Sequence, residues 1–582
     1  MNEEHRNWVL FAVLAVLIIF GGQYLTTKFF PPANPPATRI VAGKSTPVSN
    51  APVTTAAKMR DRNQVLAETQ RVKIVTPALV GSINLKGARI DDLVLPAYKE
   101  TIAKDSAPVR LFSPSGTENA YFANFGWTGS GVQVPDENTV FTASAPQLSP
   151  GKPVTLSWTN PSGQRFDIAI AVDDKFMFTV TQTVANGGAA PVSVRPYALV
   201  SRHGPGSDIG TTTNHAGPIG AFGNGADYDI SYKNLDGEEA GFLSKIFGNS
   251  GKPGENYFDT TGGWVGFSDK YWLAALVPDQ KAAVHLGFPS ATKDGQYQAD
   301  VARGQTTVAP GTASSVTTRL FGGAKEVATL NAYADDPTNG IAYFDRAIDW
   351  GWFRVVEKPI FTYLSFLFHL VGNFGLAIIL LTITIRALIF PIAQRQFASM
   401  AAMKAIQPKM KALQERYKDD KQKQQTEIMK LYKEEKVNPL AGCLPTFLQI
   451  PIFYALYKVL LLTIEMRHQP FVLWIHDLSA PDPATILNLF GTLPFTPPSF
   501  LAIGVIPVLL GISMFFQIRL NPAPMDEMQK QIFSIMPWML MFVMAPFAVG
   551  LQIYWITSNT LTILQQRLLY ARHPGMKVAA VK

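Results

Sequence analysis

Between residues 60 and 335 apolar side chains recur at every second position in short runs. Phe166, Ile168, Ile170 and Val172 alternate with polar neighbours, as do Phe176, Phe178 and Val180, and VTLSW (154–158) and TVFTA (139–143) follow the same rhythm. Clusters of Gly, Pro, Asn and Asp separate the runs. A period of two puts one row of side chains on each face of a strand, so the region reads as antiparallel strands of a β-sandwich. Beyond residue 348 the rhythm changes to long apolar stretches near 371–391, 441–462, 500–518, 532–546 and 550–566, with a further one at 8–25. A helix of ~20 apolar residues covers a hydrocarbon core of ~30 Å, which makes each a candidate membrane span. The two stretches flanking Pro546 are short and require a tight turn between them.

Residues 350–367, WGWFRVVEKPIFTYLSFL, are aromatic and apolar yet carry Arg354, Glu357 and Lys358. That mixture suits a helix lying in the membrane interface rather than crossing it. In 397–440, Met403, Ile406, Met410, Leu413 and Tyr417 recur at spacings of three and four, and Ile428, Leu431 and Tyr432 mark a second helical face. The pair reads as a helical hairpin. The run at 8–25 reads as an uncleaved anchor, because NEEHRN before it is not basic and no small-x-small site follows closely. PPANPPATRIVAGKSTPVSNAPVTTAA (31–57) is too poor in large apolar residues to fold, and reads as a linker.

The expected fold class is therefore a polytopic α-helical membrane protein of six spans, five of them forming a core bundle, with a large all-β sandwich domain and a helical hairpin. The expected divisions are an anchor (1–27), a disordered linker (28–59), the β-domain (60–340), an interfacial amphipathic helix (341–370), a second span (371–391), the hairpin (392–440), a third span (441–462), a loop (463–499), a fourth span (500–518), the fifth and sixth spans (532–566) and a tail (567–582).

Charge orients this arrangement. Only 16% of the residues are charged, which fits several spans. The basic excess lies in residues 351–582, where 22 Lys and Arg face 12 Asp and Glu; eleven of the 22 lie in 395–436. By the positive-inside rule that loop faces the cytoplasm, and with six spans both termini do too. The β-domain then lies outside, and its near-neutral charge argues against a nucleic-acid surface. The single cysteine, Cys443, rules out a disulfide framework.

The sharpest chemical signal is Arg386 in LLTITIRALIFP (380–391), preceded by Thr382 and Thr384. A guanidinium inside a span costs at least ~2.5–3.5 kcal/mol, unless its stem lets it snorkel to the headgroups. Other spans carry Gln449, Gln517, Gln552, Ser558 and Asn559. Such side chains either join helices to one another or line a wet cavity, and together with Arg386 they favour a polar cavity open toward the cytoplasm. The spans supply no acidic partner for Arg386, which disfavours a proton pump. An unpaired positive charge there would attract acidic or polar segments arriving from the cytoplasm.

Catalysis finds little support. There is no HExxH, GxSxG or Walker pattern, and His203, His215 and His285 lack metal-ligand spacing, so neither metal nor cofactor is expected. HGPGSDIG (203–210) has the wrong spacing for a phosphate loop, and LAGC (440–443) sits mid-chain rather than behind a signal peptide. The hairpin cations Lys404, Lys409, Lys411, Arg416, Lys418, Lys421 and Lys423 form either a solvated face or a surface for anionic lipid or ribosomal RNA.

KVNPLAGCLPTFLQIPIFYALYKVL (436–460) and FVLWIHDLSAPDP (471–483) closely resemble the YidC/Oxa family of membrane protein insertases, in particular its Gram-negative members. IDWGWFRVVEKPIF (348–361), GNFGLAIILLTITIRALIFP (372–391), GLQIYWITSNTLTILQQ (550–566) and GGWVGFSDKYWLAALVPD (262–279) support the resemblance. It implies insertion and folding of nascent inner-membrane proteins, alone or beside the Sec translocon and its accessory subunits, without ATP. It also implies a periplasmic β-domain and a hydrophilic groove open to cytoplasm and lipid. The groove positions of the family match Arg386, Thr382, Gln449, Gln517 and the pair Tyr554–Trp555; many relatives have a second tyrosine where Trp555 stands. Gln552 and Asn559 join them as polar residues of the last span. Through the hairpin the resemblance implies the ribosome or the signal recognition particle receptor as partners, with membrane lipid and no DNA. A small-anion transporter using Arg386 would be expected to show repeats, and none is visible; a scaffold would tolerate loss of Arg386.

Overall fold

A computed structural model describes residues 38–41, 44–47, 59–206, 215–238 except 224, 253–435 except 293 and 419, 444–488 except 486, 503–520 and 527–572. The expected anchor at 8–25, Cys443 and the end of the tail lie outside the described residues. Within the expected linker, Thr38–Val41 pairs antiparallel with Lys44–Pro47. This corrects part of that expectation: TRIV concentrates β-branched side chains, which favour an extended backbone.

The chain divides into two compact units. The first is a β-sandwich whose sheets, among the described residues, hold nine and eleven strands. Strand Gln164–Val172 shows how the sequence builds it: Phe166, Ile168 and Ile170 are fully buried while their neighbours are half-buried or exposed. It pairs antiparallel with Met177–Asn186, aligning Phe166 with Val184 and Ile170 with Val180. Met177–Asn186 pairs in turn with Ala313–Ala324. Gln182 stands opposite Ile168 in this largely apolar row. Its Nε2 donates to the carbonyl of Gly126 on the opposite sheet at 2.7 Å, so burial costs it no hydrogen bond. Trp127 of that sheet meets Phe166 edge-on at 5.2 Å. The segment expected as one strand at 139–143 is shared between two partners: Thr142–Ala143 joins the nine-stranded sheet, whereas the Phe141 N–H donates to the Leu85 carbonyl at 2.9 Å and the Thr139 carbonyl accepts from the Gly87 N–H at 2.8 Å.

The second unit is helical. Helix α1 (Arg354–Val371) ends where Gly372 takes φ 68°, and Asn373 caps α2 by accepting from the Leu376 N–H at 3.1 Å. Helix α2 (Phe374–Arg416) runs unbroken through Pro391 and Pro408. The expected boundary at 391 is therefore not a helix end; QRQFASMAAMKA after it is rich in strong helix formers that carry the helix on. Asp420 caps α3 (Lys421–Glu434), which folds back along α2 with Tyr432 against Ile406. Helices α4 (Leu444–Leu462), α5 (Val505–Leu520), α6 (Glu527–Met544) and α7 (Val549–Arg572) complete the unit. Among the described residues, Phe374–Gln394 alone is long and apolar enough to cross a membrane by composition; Gln449–Leu462, Val505–Leu520 and Phe533–Met544 are shorter apolar helical stretches.

The loop between α4 and α5 is fixed by one carboxylate. Asp482 accepts from the Ile506 N–H at 2.7 Å near the start of α5, and from Trp474 Nε1 and the Ala484 N–H at 3.0 Å each. An acceptor at that helix start satisfies an N–H that has no partner within the helix.

Candidate functional site

The residues with chemical potential converge where α2, α4, α5 and α7 meet. Arg386 projects from α2 toward α7, and its Nε donates to Ser558 Oγ at 3.1 Å while Nη2 bonds the same oxygen. The guanidinium is half-buried, and none of the described acidic side chains pairs with it. One turn before Ser558, Tyr554 is buried and its hydroxyl bonds Gln449 Nε2 of α4. Arg386 and Tyr554 act on each other electrostatically, so the three helices share one polar centre. Trp555 lies edge-on to Phe453 of α4 at 4.9 Å, which adds an aromatic wall. Gln517 on α5 is half-buried.

Other candidates serve the bundle itself. Thr382 is buried and its hydroxyl donates to the Ile378 carbonyl of its own helix at 2.7 Å. Asn559 Nδ2 donates to Ser513 Oγ at 2.9 Å and joins α7 to α5. Gln552 is fully buried, and its Nε2 reaches the carbonyls of Met544 and Phe547 at 3.0 and 2.9 Å. It therefore holds the α6–α7 turn and does not present its amide nitrogen to a groove, a departure from the expectation for this residue. The turn needs it because the carbonyls at the end of α6 have no partner within the helix.

On the hairpin, Lys409 pairs with Glu435 at 2.5 Å and Lys423 Nζ stands 5.5 Å from the Tyr417 ring centre. Lys411, Arg416 and Lys418 are exposed. The side chains of Lys404 and Lys421 lie outside the described residues.

Three participants were not singled out from the sequence. Ser558 stood among the polar span residues without a role, and the structure makes it the partner of Arg386. Tyr363 of α1 shares a 3.0 Å hydrogen bond with Thr384, two residues before Arg386. Lys458 is a lone cation in the apolar run ALYKVL, a visible signal; it is buried, with Nζ donating to the Asp349 carbonyl at 2.8 Å.

Residues 71–363 match the family described as the YidC periplasmic domain, and residues 366–576 match the 60Kd inner membrane protein family. The membrane protein insertase YidC of Zymomonas mobilis is 47% identical over 581 residues, covering 98% of this chain and 96% of its own. That of Methylorubrum extorquens is 48% identical over 523 residues, covering 89% and 83%. This chain belongs to the YidC family of membrane protein insertases. A solved structure described as an active YidC insertase with its first transmembrane domain resolved is similar at 16% identity over 96% of this chain and 98% of that one, with a TM-score of 0.35. Members of the YidC family are inner-membrane insertases, not enzymes, and here the β-sandwich is the family's periplasmic domain while the helical unit carries the inner-membrane part.

Proposed function

We propose that this chain moves the polar ends of nascent inner-membrane proteins through a cytoplasm-open groove centred on Arg386. In this reading the chain has six spans, the α2–α3 hairpin and both termini face the cytoplasm, and α1 lies in the outer interface. The observation that carries it is the state of Arg386: a half-buried guanidinium held by a neutral hydroxyl and by no described acid. A structural cation would be paired, because an isolated buried charge is costly. An unpaired one is kept ready for an incoming anion.

The guanidinium has five N–H donors. Ser558 takes the Nε–H and one Nη2–H, which leaves both Nη1 protons and the second Nη2 proton, without partners among the described residues, as a fork able to grip one carboxylate. A substrate tail in water-free hydrocarbon would lose its hydrogen bonds at several kcal/mol per group. Arg386, the Gln449–Tyr554 pair and Gln517 offer replacements partway across. The apolar helix of the substrate then passes the Trp555–Phe453 wall into lipid, driven by burial of its apolar surface. A wall that works by aromatic contact retains its function with tryptophan at 555. The hairpin, with Lys411, Arg416 and Lys418 exposed, would receive the ribosome or the signal recognition particle receptor, and the Sec translocon would act beside the bundle for some substrates.

The test is insertion of a short single-span protein with an acidic N-terminal tail into proteoliposomes, scored by protease protection. Arg386→Ala should abolish protection and Arg386→Lys should restore most of it. Full insertion by Arg386→Ala would refute the role of the charge.

A further inference from the structure

Helix α1 buries one stripe: Glu357, Phe361, Leu364 and Leu367. Three of these are apolar, and the fourth is a carboxylate with 0% of its surface exposed. Neither Glu357 oxygen has a hydrogen-bond partner. A carboxylate in such a place is ordinarily satisfied by two or three donors, so its isolation demands a reason. The cation that acts on it is Lys458 on α4, a helix against which α1 packs, but the Lys458 ammonium donates to the Asp349 carbonyl instead. Lys458 and Asp349 are the charges that act on Glu357, the first favouring its ionised form and the second opposing it. Tyr454 of α4 also faces this cluster, and no titratable group of α2 acts on Glu357.

We propose that Glu357 is a positioning residue whose protonation seats α1 on α4 and, through α1, sets the placement of Arg386. The mechanical link is short. Tyr363 lies on α1 less than two turns after Glu357, and its hydroxyl meets Thr384 on α2 at 3.0 Å. Arg386 follows two residues later. The neutral carboxyl tolerates the dry α1–α4 interface; the carboxylate is drawn toward water, which lifts α1 and breaks the Tyr363–Thr384 bond. This inference rests on Arg386 being the working charge of the groove.

Burial raises the Glu357 pKa from 4.5 to about 7 in the seated state. The sign follows: the proton favours the seated form, that advantage is complete below the ordinary carboxyl range, and it is lost as pH rises through about 7. Between about pH 6 and pH 8 the ratio of seated to lifted α1 should fall about tenfold.

The experiment uses the full chain in proteoliposomes with the same buffer on both sides, and the acidic-tailed single-span substrate at about pH 6, 7 and 8. The substrate carboxylates stay ionised throughout, since their ordinary pKa is near ~4. Wild type should insert several-fold faster at the acid end. Glu357→Gln, a permanent mimic of the neutral carboxyl, should hold the acid-end rate at all three values. Lys458→Met should move the fall to higher pH, because the ammonium that favours the carboxylate is gone, and Lys458→Arg should keep the wild-type profile. A flat wild-type profile, or a Glu357→Gln profile that falls as wild type does, overturns the proposal. Should Glu357→Gln fail to fold, the Lys458→Met shift decides, and its absence overturns the proposal as well. Arg386→Ala, run alongside, separates the two readings: full insertion by that variant removes the groove assignment, whereas loss at every pH leaves Glu357 judged by its own profile.

Discussion

Ser558→Ala is the most discriminating perturbation of the groove, because it alters the orientation of Arg386 without touching its charge. The Ser558 side chain is 1% exposed and accepts from both Nε and Nη2 of Arg386. Hydrogen bonds to charged groups contribute about 1.5–3 kcal/mol. Arg386 is only half-buried, so water replaces part of the loss and the low end, about 1.5 kcal/mol, applies. At 1.36 kcal/mol per decade that is about a tenfold fall in the insertion rate of an acidic-tailed substrate. The assay is a double-mutant cycle on that rate, with wild type, Ser558→Ala, Arg386→Lys and the pair. If Ser558 acts by orienting the fork, it has no fork to orient in Arg386→Lys, and the pair should match Arg386→Lys alone. Independent, multiplying losses would show that Ser558 serves something else. A silent Ser558→Ala would show that the fork needs no orientation.

Three further outcomes are expected. A Cβ on Gly375 would stand 2.0 Å from the Phe471 ring, so Gly375→Ala should cost about 1–3 kcal/mol, read as a lower unfolding temperature in detergent. Asp482→Ala removes the acceptor for Ile506 N–H, Ala484 N–H and Trp474 Nε1 together and should destabilise the helical unit by about 2–3 kcal/mol, whereas Asp482→Asn keeps one acceptor and should lose less. In the periplasmic domain Asp300 accepts from Tyr257 and Gln298, yet burial still lifts its pKa from 3.8 to about 6. Its contribution to stability is thus present below about pH 4 and lost as pH rises through about 6; Asp300→Asn should raise the denaturant midpoint of the full chain above that range and leave it unchanged at the acid end.

The sandwich was legible because a half-buried strand writes its own face into the sequence: Phe166, Ile168 and Ile170 are the residues that end fully buried. At 139–143 alternation shows extended chain but not which partner it takes: Thr139–Phe141 bonds the backbone of Leu85–Gly87, and Thr142–Ala143 alone joins the nine-stranded sheet. The apolar span expected at 371–391 was legible from the absence of charge, but not that one helix carries on from it to Arg416, because the Ala- and Met-rich residues after Pro391 sustain the helix beyond the apolar stretch. In the site, residue type announced polarity but not its use. Thr382, Gln552 and Asn559 look the same in sequence as Gln449 and Gln517. Only the fold reveals that Thr382 and Gln552 donate to backbone carbonyls, that Asn559 and Gln449 each donate to a hydroxyl of a neighbouring helix, and that the Gln449 partner, Tyr554, lies beside Arg386. Glu357 was legible as a charge on an amphipathic helix, but an amphipathic pattern places charges on the wet face, and this one lies on the dry stripe.

That division of the polar residues has a consequence for how an insertase handles many substrates. If every polar side chain of the bundle were committed to a neighbour, a passing tail would have to break a structural bond to gain a partner, and the bundle would loosen at each event. In the proposed reading the glue and the working groups are separate: the Thr382 hydroxyl and the amide nitrogens of Asn559 and Gln552 donate within the bundle, while Arg386 has a neutral anchor and, among the described residues, no further partner. A carboxylate can therefore be gripped and released with the Arg386–Ser558 contact intact. An Arg386 locked in a permanent ion pair should trap the tail outside. Introducing such a partner, Ser558→Asp, should abolish insertion of acidic tails while preserving or raising the thermal stability of the bundle. Equal loss of stability and activity in that variant would argue that Ser558 contributes packing alone, since a carboxylate that fits beside Arg386 gains more from the guanidinium than the hydroxyl it replaces.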